Sequence, residues 1–135
     1  MKRIAKSGLI VLTGAAGLVG QNLIVEMKSQ GYSNLVAIDK HDYNLGLPKN
    51  LHPDVRTIHA DLAEPGDWDK VFAGAACVVQ LHAQITAKET ATFVRNNIDA
   101  THCVLDACKK HQTPWLVHIS SSVVNSVAVD DYTDT

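Results

Sequence analysis

No run of roughly 20 apolar residues, the length a membrane span requires, occurs in this chain of 135 residues. Neither sign of charge dominates: 12 Lys and Arg stand against 14 Asp and Glu, a formal net charge of −2. That balance supplies no basic field for nucleic acid and no polybasic patch for lipid. Cysteine is scarce and odd in number, at positions 77, 103 and 108. The spacing forms neither a disulfide framework nor a zinc knuckle, so Cys77, Cys103 and Cys108 read as reduced, mostly buried thiols of a cytoplasmic protein. Aromatic residues make up only 5%, and Trp68 and Trp115 read as core or edge residues, not as a platform for stacked bases. Seven histidines are present, but none falls in a His-Glu-x-x-His or paired Cys/His spacing, so no metal site is expected. Ser120, Ser121 and Ser122 lack the Gly-x-Ser-x-Gly elbow of a hydrolase. What remains is a 46% apolar, 19% charged composition, ordinary for a globular domain. The expected partner is a small molecule, not nucleic acid or membrane.

The chain begins Met1-Lys2-Arg3 and soon reaches "GLIVLTGAAGLVG", residues 8–20. A basic start followed by a short apolar run suits a secretion signal; it also suits a strand leading into a phosphate loop. The downstream pattern decides. Residues 8–12 form an apolar run short enough for a buried strand. From Leu18 the period lengthens, with Val19, Leu23 and Met27 four apart, which predicts an amphipathic helix closed by Gly31. Further strands are predicted over 34–39, 55–59, 76–81 and 115–120. Residues 40–53, with Gly46, Pro48 and Pro53, read as loop, and 61–72 as a turn into a short helix. A long helix is predicted over 90–110, with Val94, Ile98, Thr101, Leu105 and Cys108 down one face. His82 and His118, in or beside strands, read as packed. Near-continuous apolar strands alternating with helices predict an α/β fold, a doubly wound parallel sheet covered on both faces. Right-handed crossovers give the order 3-2-1-4-5. Residues 1–135 read as one such dinucleotide-binding domain, incomplete at its carboxyl-terminal end.

Gly14, Gly17 and Gly20 then have separate uses: a tight turn, close approach to a pyrophosphate, and tight packing of helix on strand. The opening of the helix, around Ala16, Leu18 and Val19, offers free N–H groups and the positive end of a dipole to phosphate. Asp39 follows Gly20 by 19 residues, the spacing at which an acid accepts the ribose hydroxyls of a dinucleotide. A carboxylate repels a 2′-phosphate, and only Lys40 adjoins it, so NAD is favoured over NADP.

The Gly-x-x-Gly-x-x-Gly spacing after Thr13 resembles the short-chain dehydrogenase/reductase superfamily, most closely its extended branch of nucleotide-sugar epimerases and dehydratases. Other stretches are similar in the same order. Asp61-Leu62 resembles the family's acid-plus-apolar pair at the adenine. "VVQLHAQ", residues 78–84, resembles the strand that lines the cofactor, implicating Leu81, His82 and Ala83. "NNIDATHCVLDACKK" resembles the following helix, with Asn97 in the asparagine position. "LVHISSS" resembles the strand that ends at the catalytic serine. The resemblance implies an NAD-dependent epimerase, dehydratase or dehydrogenase acting by hydride transfer on a nucleotide-sugar or another hydroxyl- or keto-bearing compound. It also implies Ser120 near the cofactor, Ser121 or Ser122 as the serine holding the substrate oxygen, and Tyr132 as the proton-exchanging tyrosine.

The chain departs from the family after the serines, where Val124-Asn125-Ser126 replaces Val-Tyr-Gly. A lysine partner of Tyr132 would fall at position 136, and a phenol with its ordinary pKa near 10 is a poor base without such a cation. The chain alone is therefore expected not to turn substrate over. A reading from another class stays open: a non-catalytic, redox-sensing module that binds the dinucleotide. The fifth strand is expected at the sheet edge with Trp115, Val117 and Ile119 incompletely covered. Exposed edges and apolar patches recruit partners, so self-association, as in a homo-oligomer, or marginal solubility is expected, and light scattering at high concentration checks it. A stable monomer there would count against this reading.

Overall fold

A computed structural model of the chain describes residues 3–122. Five parallel strands, β1 (Leu9–Thr13), β2 (Leu35–Asp39), β3 (Arg56–His59), β4 (Ala75–Gln80) and β5 (Leu116–His118), form one sheet in the order β3-β2-β1-β4-β5. This is the doubly wound arrangement and strand order that the alternating pattern predicts. The chain reverses its direction of winding beside β1, which opens a crevice at the carboxyl ends of β1 and β4.

Strand side chains alternate between two cores because successive residues face opposite sides of the pleat. Val11, Val36, Ile38 and Val78 pack with Trp68, Phe72, Val104 and Ala107 on one face. Ile10, Leu12, Leu35, Ala37 and Val79 pack with Ile24 on the other. Trp68 meets Phe72 edge to face at 5.7 Å and donates its indole N–H to the Glu64 carbonyl, 2.8 Å away. A buried indole thus keeps its one polar atom paired. These two residues belong to a 3-10 turn, Asp67–Phe72, where a short helix is expected.

Three helical expectations need correction. Residues 40–53 are not a loop: α2 spans Asp42–Leu51 with Pro48 inside it. Leu45 and Pro48, three apart, are both buried, and that tertiary burial outweighs the breaking tendency of Gly46 and Pro48. In α1 (Leu18–Ser29) the buried residues are Gly20 and Ile24, whereas Val19 is 58% exposed. Leu23 and Met27 are half-buried against the core as the period predicts, so only Val19 leaves that face; Gly20, where a Cβ would meet the Ala15 main chain, packs closely on the loop beside it. The helix over 90–110 is interrupted: α3 (Thr90–Phe93) passes into a π segment, Val94–Asp99, and then into α4 (Ala100–Lys110). The wider π turn shifts the phase, and α4 buries Ala100, Val104, Ala107 and Cys108. Val94, Ile98 and Leu105 are exposed.

β5 is the edge of the sheet among the described residues, and Trp115, Val117 and Ile119 are 43%, 45% and 49% exposed. His118 is exposed, contrary to the packed position expected for it. The cysteines are free, with Cys77 and Cys108 buried and Cys103 half-buried.

Both principal helices end in the same hydrogen-bonded closure. After α1, Tyr32 N–H reaches the Met27 carbonyl at 3.0 Å and Gly31 N–H reaches Lys28 at 2.9 Å, with Gly31 at φ +88°. After α4, Thr113 N–H reaches Cys108 at 2.9 Å and Gln112 N–H reaches Lys109 at 3.2 Å, but the left-handed residue is Gln112 at φ +52°. A side chain in that region costs about 1–2 kcal/mol. Gln112→Gly should therefore stabilise the fold by roughly 0.5–1 kcal/mol after the added freedom of the unfolded chain is subtracted. Thermal denaturation should show a midpoint a few degrees higher; an unchanged or lower midpoint would refute the strain at this position.

Candidate dinucleotide site

At the carboxyl ends of β1, β2, β3 and β4 lies a cavity of about 480 Å³. Gly14, Gly17, Leu18 and Val19 form one wall, Asp39, Lys40, His41 and Asn44 one end, and Leu81 to Ile85 the opposite side. Asp61 and Leu62 complete it beneath Asn96 and Ala100.

Glycine is required in the turn after β1 for two independent reasons. Gly14 adopts φ +66°, and a Cβ there would lie 2.5 Å from the His82 main-chain nitrogen. At Gly20 a Cβ would meet the Ala15 carbonyl oxygen at 2.5 Å. The loop is thereby pressed against the end of β4 on one side and folded tightly into α1 on the other. Ala15 N–H donates to the Ile38 carbonyl at 3.2 Å. Ala16 N–H donates to Asp39 Oδ2 at 3.0 Å, in a buried contact. The amino terminus of α1 carries no side-chain cap and no acid in its first turn. Its unpaired N–H groups and positive dipole end face the cavity that Gly17, Leu18 and Val19 line, the arrangement that receives anionic groups.

Asp39 is 7% exposed. Its Oδ1 accepts from the His41 main-chain N–H at 2.9 Å and lies 3.1 Å from His41 Nδ1. Asp61 accepts from Ala63 N–H at 3.0 Å and pairs with Arg95 at 3.0 Å, while Arg95 also reaches Glu64 at 2.7 Å. On the far side, Asn97 clamps the strand-end loop, accepting from Gln84 N–H at 2.6 Å and donating to the Gln84 carbonyl at 3.1 Å. Asn96 donates to the Gln84 side chain at 2.8 Å. Two consecutive asparagines of the π segment thus address one residue.

Among the expected site residues, Gly14, Gly17, Leu18, Val19, Asp39, Lys40, Asp61, Leu62, Leu81, His82 and Ala83 all line the cavity. Ala16 stands behind the loop on Asp39, and Asn97 holds the loop through Gln84. Ser120, Ser121 and Ser122 follow β5 and are exposed. Tyr132 lies outside the described residues. Reading along the chain missed His41, Asn44, Gln84, Ile85 and Asn96. Only the doubled asparagine at 96–97 carried a usable signal; the others reach the cavity through chain reversals that no periodicity reports. Among the described residues, no group of three or more His, Cys, Asp or Glu is placed to hold a metal ion. No helix there is long and apolar enough to cross a membrane.

The profile of the NAD-dependent epimerase/dehydratase family matches residues 10–133. This chain belongs to that family. NAD is the family's cofactor, and the glycine cradle, the uncapped helix start and the Asp39 carboxylate fit such a group. One relative is a dTDP-glucose 4,6-dehydratase of Streptomyces griseus, 30% identical over 128 residues that cover 85% of this chain and 38% of the relative. The chain spans well under half the length of the curated relatives it matches. Among solved structures of similar fold, MoeE5 in complex with UDP-glucuronic acid and NAD superposes with a TM-score of 0.74 at 27% identity, covering 92% of this chain and 42% of that one. A UDP-N-acetylglucosamine 4-epimerase from Methanobrevibacter ruminantium M1, at 24% identity, shares the fold with a TM-score of 0.76, covering 96% of this chain and 44% of that one.

His82 has an environment of its own within the family cleft. Thr13 Oγ1 lies 2.9 Å from its Nδ1, and Nε2 is buried without a protein partner among the described residues. Burial, reinforced by the neighbouring His118, pushes its pKa from 6.5 down to about 4, with Asp39 opposing and Lys40 adding to the shift. The imidazole is therefore neutral at pH 7. Between pH 6.5 and about 4 the unfolded chain binds a proton on this ring that the folded chain refuses, so stability falls as pH drops through that window and levels off below it. Melting curves at pH 7 and pH 5 should show a smaller loss for His82→Asn than for the unsubstituted chain. Equal losses would remove His82 from the pH dependence.

Proposed function

We propose that the chain is the NAD-binding portion of an enzyme acting on a nucleotide-sugar, or another hydroxyl- or keto-bearing compound, by hydride transfer. The observation that carries the reading is the juxtaposition, in one cleft, of the uncapped start of α1 and the Asp39 carboxylate joined to it through Ala16. The S. griseus dehydratase and the UDP-sugar complex of MoeE5 support the substrate class.

In this reading the main-chain N–H groups at the start of α1, at Leu18 and Val19, meet the negative charge of the pyrophosphate, Gly14 and Gly17 let the backbone approach it, and Ala16 holds the loop in place through its bond to Asp39. Asp39 accepts hydrogen bonds from the adenosine ribose. Asp61 and Leu62 border the adenine, with Arg95 and the Ala63 N–H holding the Asp61 carboxylate in place. Leu81, His82 and Ala83 line the nicotinamide side, and Asn97 keeps that loop in place by its two bonds to Gln84. When bound, NAD supplies a reversible acceptor of hydride. Ser121 or Ser122 orients the substrate oxygen, and Tyr132 exchanges a proton with it. A neutral His82 adds no charge beside the nicotinamide side of the cleft, so the positive ring there meets no second cation.

Calorimetric titration tests the assignment. NAD should bind measurably more tightly than NADP, and Asp39→Ala should weaken NAD by about tenfold or more, since a hydrogen bond to a charged group is worth roughly 1.5–3 kcal/mol. Part of that loss will come from the loop, because the substitution also strips Ala16 N–H of its acceptor. Equal affinities of the unsubstituted chain for the two cofactors would sink the assignment.

A further inference from the structure

The Asp39 carboxylate is nearly saturated by the protein itself. Two carboxylate oxygens offer about four acceptor positions. Ala16 N–H occupies one on Oδ2, and the His41 main-chain N–H occupies one on Oδ1. The His41 ring takes another on the same Oδ1, with Nδ1 3.1 Å away. A carboxylate can only accept, so Nδ1 carries the proton in this contact. One position is left open. A ribose with both hydroxyls free brings two donors to Asp39, whereas a ribose bearing a 2′-phosphate brings one.

The two protein donors from His41 differ in how readily they can leave. The main-chain N–H is fixed by the turn out of β2. Among the described residues the ring's one hydrogen bond is to Oδ1, and the ring is 63% exposed at the rim of the cavity, next to Lys40. It can swing away without uncovering any core, but doing so costs its hydrogen bond. Resting on the reading of this cleft as the dinucleotide site, we propose that His41 is a specificity-determining residue. Its ring competes with the ribose for Asp39 and so narrows the preference for NAD over NADP. Once displaced, its Nδ1–H is also a donor that a 2′-phosphate can use and that a second ribose hydroxyl does not need.

Titration of the unsubstituted chain and of His41→Ala with NAD, NADP and 2′-deoxy-NAD tests this. His41→Ala should widen the ratio of NAD to NADP affinity by roughly three- to tenfold, the worth of one hydrogen bond. Removing the 2′-hydroxyl from the ligand should cost little against the unsubstituted chain and several-fold more against His41→Ala, because only the latter has an acceptor waiting for it. That dependence on the ligand's hydroxyl is a readout that a merely structural role would not move. If the unsubstituted chain binds no NAD, the dinucleotide reading fails and this proposal falls with it. If NAD binds and Asp39→Ala weakens it, yet His41→Ala changes NAD and NADP by the same factor, the proposal about His41 alone is overturned.

Discussion

The buried hydrogen bond from Ala16 N–H to the Asp39 carboxylate is the contact on which the cleft depends. It joins the loop after β1 to the end of β2, and the parallel bond from Ala15 N–H to the Ile38 carbonyl repeats the tie one residue earlier. With these two N–H groups engaged, the chain turns sharply enough to start α1 directly over the sheet. The remaining N–H groups of the helix start are left facing the cavity. A buried N–H stripped of its acceptor costs about 1–3 kcal/mol, so the loop has little freedom to settle elsewhere. Gly14 makes the geometry attainable on the opposite side, because any side chain there would collide with the main chain of His82. Three strand ends are thus brought to one short loop.

The facing wall is held differently. Its loop, residues 81–87, is fixed by side chains from the distant π segment, above all the two hydrogen bonds between Asn97 and the Gln84 main chain. The Arg95 pairs with Asp61 and Glu64 are partly exposed, at 41% for the arginine and 39% and 65% for its partners. Such pairs contribute little to stability, commonly about 0–1 kcal/mol. Their effect here is positional, since they keep the Asp61 carboxylate turned toward the arginine. A π segment in place of a regular turn has its own cost. Within it the neighbouring Asn96 and Asn97 both address Gln84, one at its side chain and the other at its main chain.

Several features were legible along the chain because they depend on local chemistry. The glycines of the β1 turn, the acid ending β2 and the apolar runs of the inner strands each answer to constraints that act within a few residues. The parallel order follows as well, since short crossovers of fixed hand leave few alternatives. The misreadings share a cause of the opposite kind. Gly46 and Pro48 break helices locally, yet α2 forms because Leu45 and Pro48 find a surface to cover. Val19 continues the apolar period of α1 but faces the cavity, because Gly20 is the residue that permits close approach to the loop.

The sequence by itself determined the fold class, the place of the phosphate loop and the acid that accompanies it, because each rests on backbone sterics or on spacing within one strand–turn–helix unit. Tertiary structure alone decided the rest of the cleft. The approach of His41 to Asp39, the clamp of Asn96 and Asn97 on Gln84, and the burial that keeps His82 neutral arise between segments far apart in the chain or around a reversal. No periodicity encodes them. They exist because the packed sheet brings the ends of four strands within hydrogen-bonding distance of one another's loops.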